Sequence, residues 1–438
     1  MPRTPIVLAA GLRTPWCRAG GAFAREDAGH LGALVARELL ARTGVDPAAI
    51  DEVVAGCVGP PHDQANVARV IGLRAGIPRG VPARTVARNC ASGMEAVTSA
   101  AASIEAGRGD LYLCIGVEVM SAYPLIVGER MTRFYARLSS ARSPLARVAA
   151  IASFRPSMLA PRVALMEGLT DPISGLIMGK TAEILAREFG ISREDADRFA
   201  LQSHERAKRA RDSGRFAREI LPVLPLEPRL VYTKSPSAVE NDDSIRDEQS
   251  LPALAKLRPY FEKPDGRVTV GNSCGITDGA CALLVASEDR ARALGLAPIA
   301  RIVSWAYSGC DPERMGLGPV YSSARALDDA GLALADMETI EINEAFAAQV
   351  LACAKAFASD AFAQNELHRG KALGGLDMER TNRNGGAIAL GHPVGATGAR
   401  LLLTTAHELA VRKQRYGLAT ACIGGGQGAA VVLERIDA

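Results

Sequence analysis

The sequence predicts an α/β protein built from two similar halves, with one long segment inserted into the first. Three observations carry this reading. Short apolar runs alternate with Ala-rich stretches of helical period along most of the 438 residues. Such alternation is the mark of sheets covered by helices. Between residue 122 and about 274 the rhythm fails and the chain becomes Pro- and Arg-rich, as an insertion would. Finally, "NCASGMEAVTSAA" and "GHPVGATGARLLLTTA" share the form of a Cys or His, two residues, a Gly and then a helix. "DGACALLVAS" and "GQGAAVVLER" follow them in the same order, one closing each half.

The elements follow along the chain. "MPRTPIVLAAGLRTPWCR" opens with an apolar run cut short by Arg13; with no small-residue cleavage site after it, it reads as a first strand rather than a secretion signal. "AGHLGALVARELLART" carries the helical period, and "EVVAGCVG" is a buried strand. "MEAVTSAAASIEAG" is a helix and "LYLCIGVEVM" a buried strand. After the insertion, "ACALLVAS" is a strand, "SSARALDDAG" a helix and "ETIEINEAF" a strand. "KAFASDAFAQNELHRGKALGGLDMERTNRNGG" reads as a surface excursion. "GARLLLTTAHELAVR" is a helix, and "LATACIGGGQGAAVVLE" returns to strand.

Bulk properties narrow the function. A composition of 48% hydrophobic and 23% charged residues suits a globular protein of two or three domains. The net charge of +3 is too even to imply a nucleic-acid partner. No run reaches the roughly 18 apolar residues that a transmembrane helix needs. Nine cysteines without C-x-x-C pairs or metal-ligand spacing point to a reducing, cytoplasmic setting and no metal.

A few residues carry chemistry. Cys90 heads the "MEAVTSAAASIEAG" helix, where unpaired N–H groups favour a thiolate. Free cysteine is also among the most buried residue types, so a packed core thiol is the competing reading. His392 sits among glycines at the equivalent helix head, where the dipole disfavours imidazolium and leaves a neutral base. The other histidines, His30, His62, His204, His368 and His407, read as surface or structural. Cys422 ends a strand ahead of three glycines. No helix opens after them, which argues against a phosphate loop; backbone N–H groups near Gly424 suit an oxyanion instead. Asn343 follows a buried strand and fits either a helix cap, with Glu344 opening the helix, or a group holding water or a carbonyl oxygen.

Taken together, "NCASGMEAV", "GVEVMS", "MGKTAE", "LRPYF", "VTVGNSCGITDGA", "NEAF", "GGAIALGHPVGATGAR" and "CIGGGQGAA" resemble the thiolase family over nearly the whole chain. The resemblance implies a layered αβαβα core of two similar halves with an inserted loop domain. The expected division is 1–121 (completed by 275–297) for the first half, 122–274 for the loop domain and 298–438 for the second half. The long spacing from Asn343 to His392, with "DAFAQNELHRG" inside it, is similar to the thiolase subunits of trifunctional fatty-acid oxidation complexes. That branch usually has His where this chain has Asn343, the form most other thiolases carry.

What the resemblance implies is a 3-ketoacyl-CoA thiolase of β-oxidation. His392 activates Cys90, which takes the acyl group, while backbone N–H groups of Cys90 and Gly424 hold the oxyanion. Cys422 moves the proton of the acetyl-CoA enolate, whose oxygen faces His392 and a water on Asn343. CoA is a co-substrate and no tightly bound cofactor is expected. Arg246 matches a CoA-phosphate contact. Cys274 stands where a serine commonly meets pantetheine, and a thiol donates only weakly. Met178, Phe261 and Phe346 match apolar walls of that site. Ile177, where short-chain biosynthetic members often have His, suits a longer acyl chain.

The alternatives are a biosynthetic acetoacetyl-CoA thiolase and a non-catalytic lipid carrier or scaffold on the same fold. A ketoacyl synthase lacks a second cysteine, so Cys422 weighs against it. At least a homodimer is expected. In "LIVGERMTRFYARLSSARSPLARVAAIASFRP", Arg130, Arg133 and Arg137 share one helical face. That face suits a membrane surface, a hydratase/dehydrogenase subunit or the CoA entrance, or is simply solvated.

Overall fold

The computed structural model describes residues 4–226 and 237–436. Five strands form the first half: β1 (Ile6–Arg13), β2 (Glu52–Gly56), β3 (Ala83–Val86), β4 (Leu111–Val119) and β5 (Thr277–Ser287). Four form the second: β6 (Ala300–Gly309), β7 (Thr339–Ile342), β8 (Tyr416–Ile423) and β9 (Gln427–Glu434). The strand order is β7-β8-β9-β6-β1-β5-β4-β2-β3. A three-residue antiparallel pairing, centred on Val7 and Arg301, joins the halves.

The duplication read from two short motifs is built into this order. In the first half β1 pairs β5 antiparallel, β5 pairs β4 antiparallel, and β4 pairs β2 in parallel. In the second half β6, β9, β8 and β7 repeat the same senses in the same sequence. The inner strands β4, β5 and β8 are buried on both faces, successive side chains of a strand pointing to opposite sides. On β5, Ala282, Leu284 and Ala286 join the outer core with α1 (Ala28–Thr43), while Cys281, Leu283 and Val285 join the central one. On β9, Val431 and Leu433 face the central core, and Ala430 and Val432 face α7 (Gly318–Ala330) and α8 (Ala347–Phe357).

The central layer is α2 (Ser92–Glu105) against α9 (Val394–Arg412), whose apolar side chains share one cluster with both half-sheets. These helices cross at backbone contact. A Cβ on Gly93 would lie 2.7 Å from the Ala399 nitrogen, and one on Gly398 2.5 Å from the Met94 nitrogen. The two helix heads, and with them Cys90 and His392, are thereby brought to one place.

The insertion between β4 and β5 carries α3 (Glu129–Ser140), α4 (Pro144–Ala152), α5 (Met178–Glu188) and α6 (Arg193–Asp212). A small ribbon, Leu125–Val127 with Pro161–Val163, closes around the first two helices. Arg13, expected only to interrupt an apolar run, is buried and ties this segment to the body. Its guanidinium pairs with Glu219 at 3.0 Å and Asp242 at 2.7 Å. The excursion near residue 360 is not all surface either. Asn382 is buried, donating to the Ile342 carbonyl and accepting from the Ile342 N–H, both at 2.9 Å.

Candidate active site

Cys90 lies in a tight turn, Asn89–Ala91, immediately before α2. Asn89 takes a left-handed φ of 42°, a conformation that costs energy for a side-chain-bearing residue and must be held by its surroundings. The Asn89 amide donates to the Gly424 carbonyl at 2.8 Å, and the Ser92 hydroxyl donates to the Asn89 carbonyl at 2.8 Å. Arg88 pairs with Glu95 at 2.6 Å and stacks over the Tyr307 ring at 4.0 Å. The Cys90 side chain is thus presented from a braced loop.

The resting state of Cys90 is a thiol. Burial pushes its pKa up, opposed by the backbone N–H groups of Gly424 and of Cys90 itself beside the sulfur. The helix-head argument for a preformed thiolate therefore loses to desolvation. A base is needed, and the same N–H groups stand where negative charge on an attached oxygen would develop.

His392 lines the same cavity as Cys90. It lies on the Gly391–Pro393 link, two residues ahead of α9, so burial rather than the dipole keeps it neutral. Desolvation, with the Arg400 guanidinium adding to it, pushes its pKa down to about 4. The tautomer follows from the hydrogen bonds. The Thr397 hydroxyl gives its proton to the Pro393 carbonyl at 3.0 Å, so at 2.6 Å it accepts from Nδ1–H of His392. Nε2 then carries the lone pair. Gly391 has φ of 101°, and a Cβ there would strike Thr277 at 2.4 Å, so the link requires glycine.

Asn343 is not a helix cap. The helix after it begins at Ala347 with Phe346 at its cap position, and Glu344 is instead buried, accepting from Ser203 at 2.6 Å and Asn382 at 2.8 Å. The buried Asn343 amide nitrogen lies 3.4 Å from His392 Nε2, and its Oδ1 has no partner among the described residues. An oxygen of this kind suits a bound water.

Cys422 is buried at the end of β8, paired with Gly428 across the hairpin. Its pKa is raised well above the thiol range by burial, then by the neighbouring Cys90, Cys353 and Cys274. A thiol held neutral is a proton donor. One cavity is walled by Cys90, His392, Cys422, Gly424, Cys274, Met178 and Phe346. The turn Gly424–Gly426 leads into β9, not a helix, as the argument against a phosphate loop required.

A second arm shares Met178, Cys274, Phe346 and His392 and continues past Phe261. Phe261 and Phe346 meet edge to face at 6.0 Å, and Gly179 leaves room for the Phe261 ring. Burial pushes the Cys274 thiol up to about 12, and its backbone N–H donates to the Ala345 carbonyl. Arg246 is exposed and belongs to neither arm; its backbone N–H donates to Nδ1 of buried His204 at 3.3 Å.

Three residues escaped the sequence reading. Thr397 fixes the histidine tautomer, and Asn89 bends the nucleophile turn. Glu118, buried on β4, accepts from the N–H groups of Val58, Gly59 and Gly395 at about 3 Å and so binds the α9 head to the first half. A lone acid within an apolar strand was the available signal for the last. Thr397 and Asn89 gave none.

Comparison with known proteins identifies the family. The family descriptions "Thiolase, N-terminal domain" and "Thiolase, C-terminal domain" match residues 6–289 and 296–435. The chain belongs to the thiolase family. A 3-ketoacyl-CoA thiolase of Pectobacterium atrosepticum is 40% identical over 432 residues, covering 98% of this chain and 96% of the relative. One of Yersinia pestis is 41% identical over 430 residues with the same coverage. Among solved structures, Bacillus anthracis acetyl-CoA acetyltransferase matches with a TM-score of 0.85 at 35% identity, covering 99% of both chains. Human mitochondrial 3-ketoacyl-CoA thiolase in complex with CoA matches at 0.83 and 36%, covering 99% of this chain and 98% of the other. The thiolase fold expected from the motifs is therefore the fold of this chain.

Proposed function

We propose that this thiolase is a 3-ketoacyl-CoA thiolase: it cleaves 3-ketoacyl-CoA with CoA to acetyl-CoA and an acyl-CoA shortened by two carbons. The observation that carries the reading is the meeting of Cys90, neutral His392 and neutral Cys422 in one cavity, with the backbone N–H groups of Cys90 and Gly424 beside the Cys90 sulfur. His392 Nε2 takes the Cys90 proton as the sulfur attacks C3, and the oxyanion turns to the N–H groups of Cys90 and Gly424. The carbonyl re-forms as the C2–C3 bond breaks, leaving the acyl group on Cys90. Cys422 gives its proton to C2 of the departing enolate, whose oxygen faces His392 and the Asn343 side. CoA enters, returns a proton to Cys422, and its thiolate takes the acyl group; His392 then reprotonates Cys90.

The arm past Phe261 and Cys274 is the proposed path of pantetheine, with CoA as co-substrate and Arg246 at its phosphate end. Ile177 on that arm supports a substrate longer than acetoacetyl-CoA. The likeness to acetyl-CoA acetyltransferase keeps Claisen condensation as the second reading. Initial rates of thiolysis over a ladder of 3-ketoacyl-CoA chain lengths separate the two. A rate confined to the four-carbon substrate overturns the first, and no thiolysis at any length overturns both.

We further propose a cytoplasmic homo-oligomer of at least two chains. All nine cysteines are free, which supports a reducing compartment. Sedimentation velocity reads the assembly, and a monomer at working concentration rejects it. The arginine-rich segment is proposed to dock a membrane surface or a hydratase/dehydrogenase subunit, and its exposed apolar residues favour the membrane.

A further inference from the structure

Successive side chains of β7 point to opposite faces of the sheet. Ile340 and Ile342 join the outer core, so Glu341 between them points to the central layer, where α9 lies. There it meets Arg400. Arg400 Nη1 donates to Glu341 Oε2 at 2.6 Å, and both side chains are buried. Of the guanidinium nitrogens only Nη1 has a hydrogen-bond partner among the described residues. The group also lies against the buried Trp16 ring, 5.7 Å from its centroid.

Stability does not account for this pair. Its neighbours on α9, Ala399, Leu401 and Leu402, belong to the apolar central core. Apolar side chains of similar volume in place of a buried ion pair often fold as well or better. What the pair adjoins is the active site. Arg400 and Thr397 are three residues apart on one face of α9, and Thr397 accepts from His392 Nδ1 at 2.6 Å. Glu341 stands two residues before Asn343, whose amide nitrogen lies 3.4 Å from His392 Nε2. Asn343 is itself fixed to the sheet, its N–H donating to the Thr420 carbonyl at 2.9 Å. The spacing between His392 and Asn343 therefore depends on how α9 sits against β7.

We propose that Arg400 and Glu341 are positioning residues: their link seats α9 on β7 and so sets the separation of His392 from Asn343. These two groups face the oxygen of the departing enolate, so the effect on rate rests on the activity proposed above. It should also be selective. Cleavage of the C2–C3 bond forms the enolate, whereas exchange of CoA through Cys90 does not. In that exchange the Cys90 sulfur attacks the thioester carbon and the carbon–sulfur bond to CoA breaks. CoA leaves with the Cys90 proton, and labelled CoA reverses the steps.

The test compares, in the full chain, thiolysis of 3-ketoacyl-CoA with exchange of labelled CoA into acetyl-CoA. Glu341→Gln keeps the length and the acceptor but loses the charge; Glu341→Asp keeps the charge but is one carbon shorter. The Asp variant should lower kcat of thiolysis about 10- to 100-fold, the scale typical of partners that orient a working group. Its KM and its exchange rate should stay near those of the wild type, and the Gln variant should keep both rates. Arg400→Met with Glu341→Met should repeat the Asp pattern and hold the thermal midpoint, as expected when an apolar pair replaces a buried ionic one. The Gln and Asp variants decide the matter even where the double variant does not fold. Equal loss of thiolysis and exchange would make the pair merely structural and overturn the proposal. So would a Gln variant as impaired as Asp, or full thiolysis in the double variant. A wild type that exchanges CoA but cleaves no 3-ketoacyl-CoA would reject the proposed activity and the inference with it, an outcome distinct from the others.

Discussion

His392 keeps its proton on Nδ1 because the Thr397 hydroxyl has already spent its own on the Pro393 carbonyl. Thr397 is therefore a positioning residue. Thr397→Val should lower kcat about 10- to 100-fold with KM little changed, the scale typical of partners that orient a working histidine. Thr397→Ser should restore it; loss of KM alone, or no rescue by serine, would point to packing. Cys90→Ala should cut thiolysis by about 10⁴-fold or more, since it removes the atom that carries the acyl group. Retained turnover in that variant would end the catalytic assignment. The acid limb of kcat/KM reports the base of the free enzyme. With His392 neutral above about 4, activity should hold as pH falls to about 5 and decline only near the histidine's own pKa. An acid inflection near the ordinary histidine value, about 6.5, would contradict the buried-base account. Cys90 and a neutral His392 were legible in the sequence; the tautomer set by Thr397 and the burial that holds His392 neutral were not, because desolvation and the choice of tautomer exist only once the chain is folded.

At the scale of elements, the two helix heads that carry Cys90 and His392 meet because α2 and α9 cross without side chains between them. Gly398→Ala would put a Cβ 2.5 Å from the Met94 nitrogen, and backbone cannot swing aside as a flexible side chain can. The crossing must open, at a cost of about 1–3 kcal/mol. A lower thermal midpoint and a loss of kcat should therefore arrive together; a stability loss with full activity would show that the heads are placed by something else. Elements were legible where local pattern decides. The helix read as "AGHLGALVARELLART" runs Ala28–Thr43, capped by Asp27 and ended by left-handed Gly44. The pattern failed where tertiary burial decides. The strand read as "ETIEINEAF" stops at Ile342, because Asn343 and Glu344 turn inward to polar partners that lie far along the chain. The motifs found Cys90, His392 and Cys422, while the groups that set their protonation lay in residues of common type.

For the whole molecule, buried histidines couple stability to pH. His204 on α6 lies beneath the loop that carries Arg246, and its Nδ1 accepts that residue's N–H, so it folds neutral. Burial, with the Arg246 charge adding to it, pushes its pKa down to about 4 from an ordinary value near 6.5. Between these values the unfolded chain binds a proton that the folded chain does not. Stability from this group therefore rises with pH across the window and is lost as pH falls from about 6.5 to about 4. The buried carboxyl of Glu341 works the other way: pushed up to about 8, it keeps a proton that unfolding releases, and favours the fold as pH falls. Total pH dependence mixes both signs, so the informative quantity is a difference between variants. His204→Gln retains an acceptor for the Arg246 N–H and cannot titrate. Between pH 7 and pH 5 the wild type should lose about 2 kcal/mol more than this variant, from about 1.5 pH units at 1.36 kcal/mol each. Urea midpoints at the two pH values read the difference, and parallel losses in the two proteins would show that His204 does not carry it.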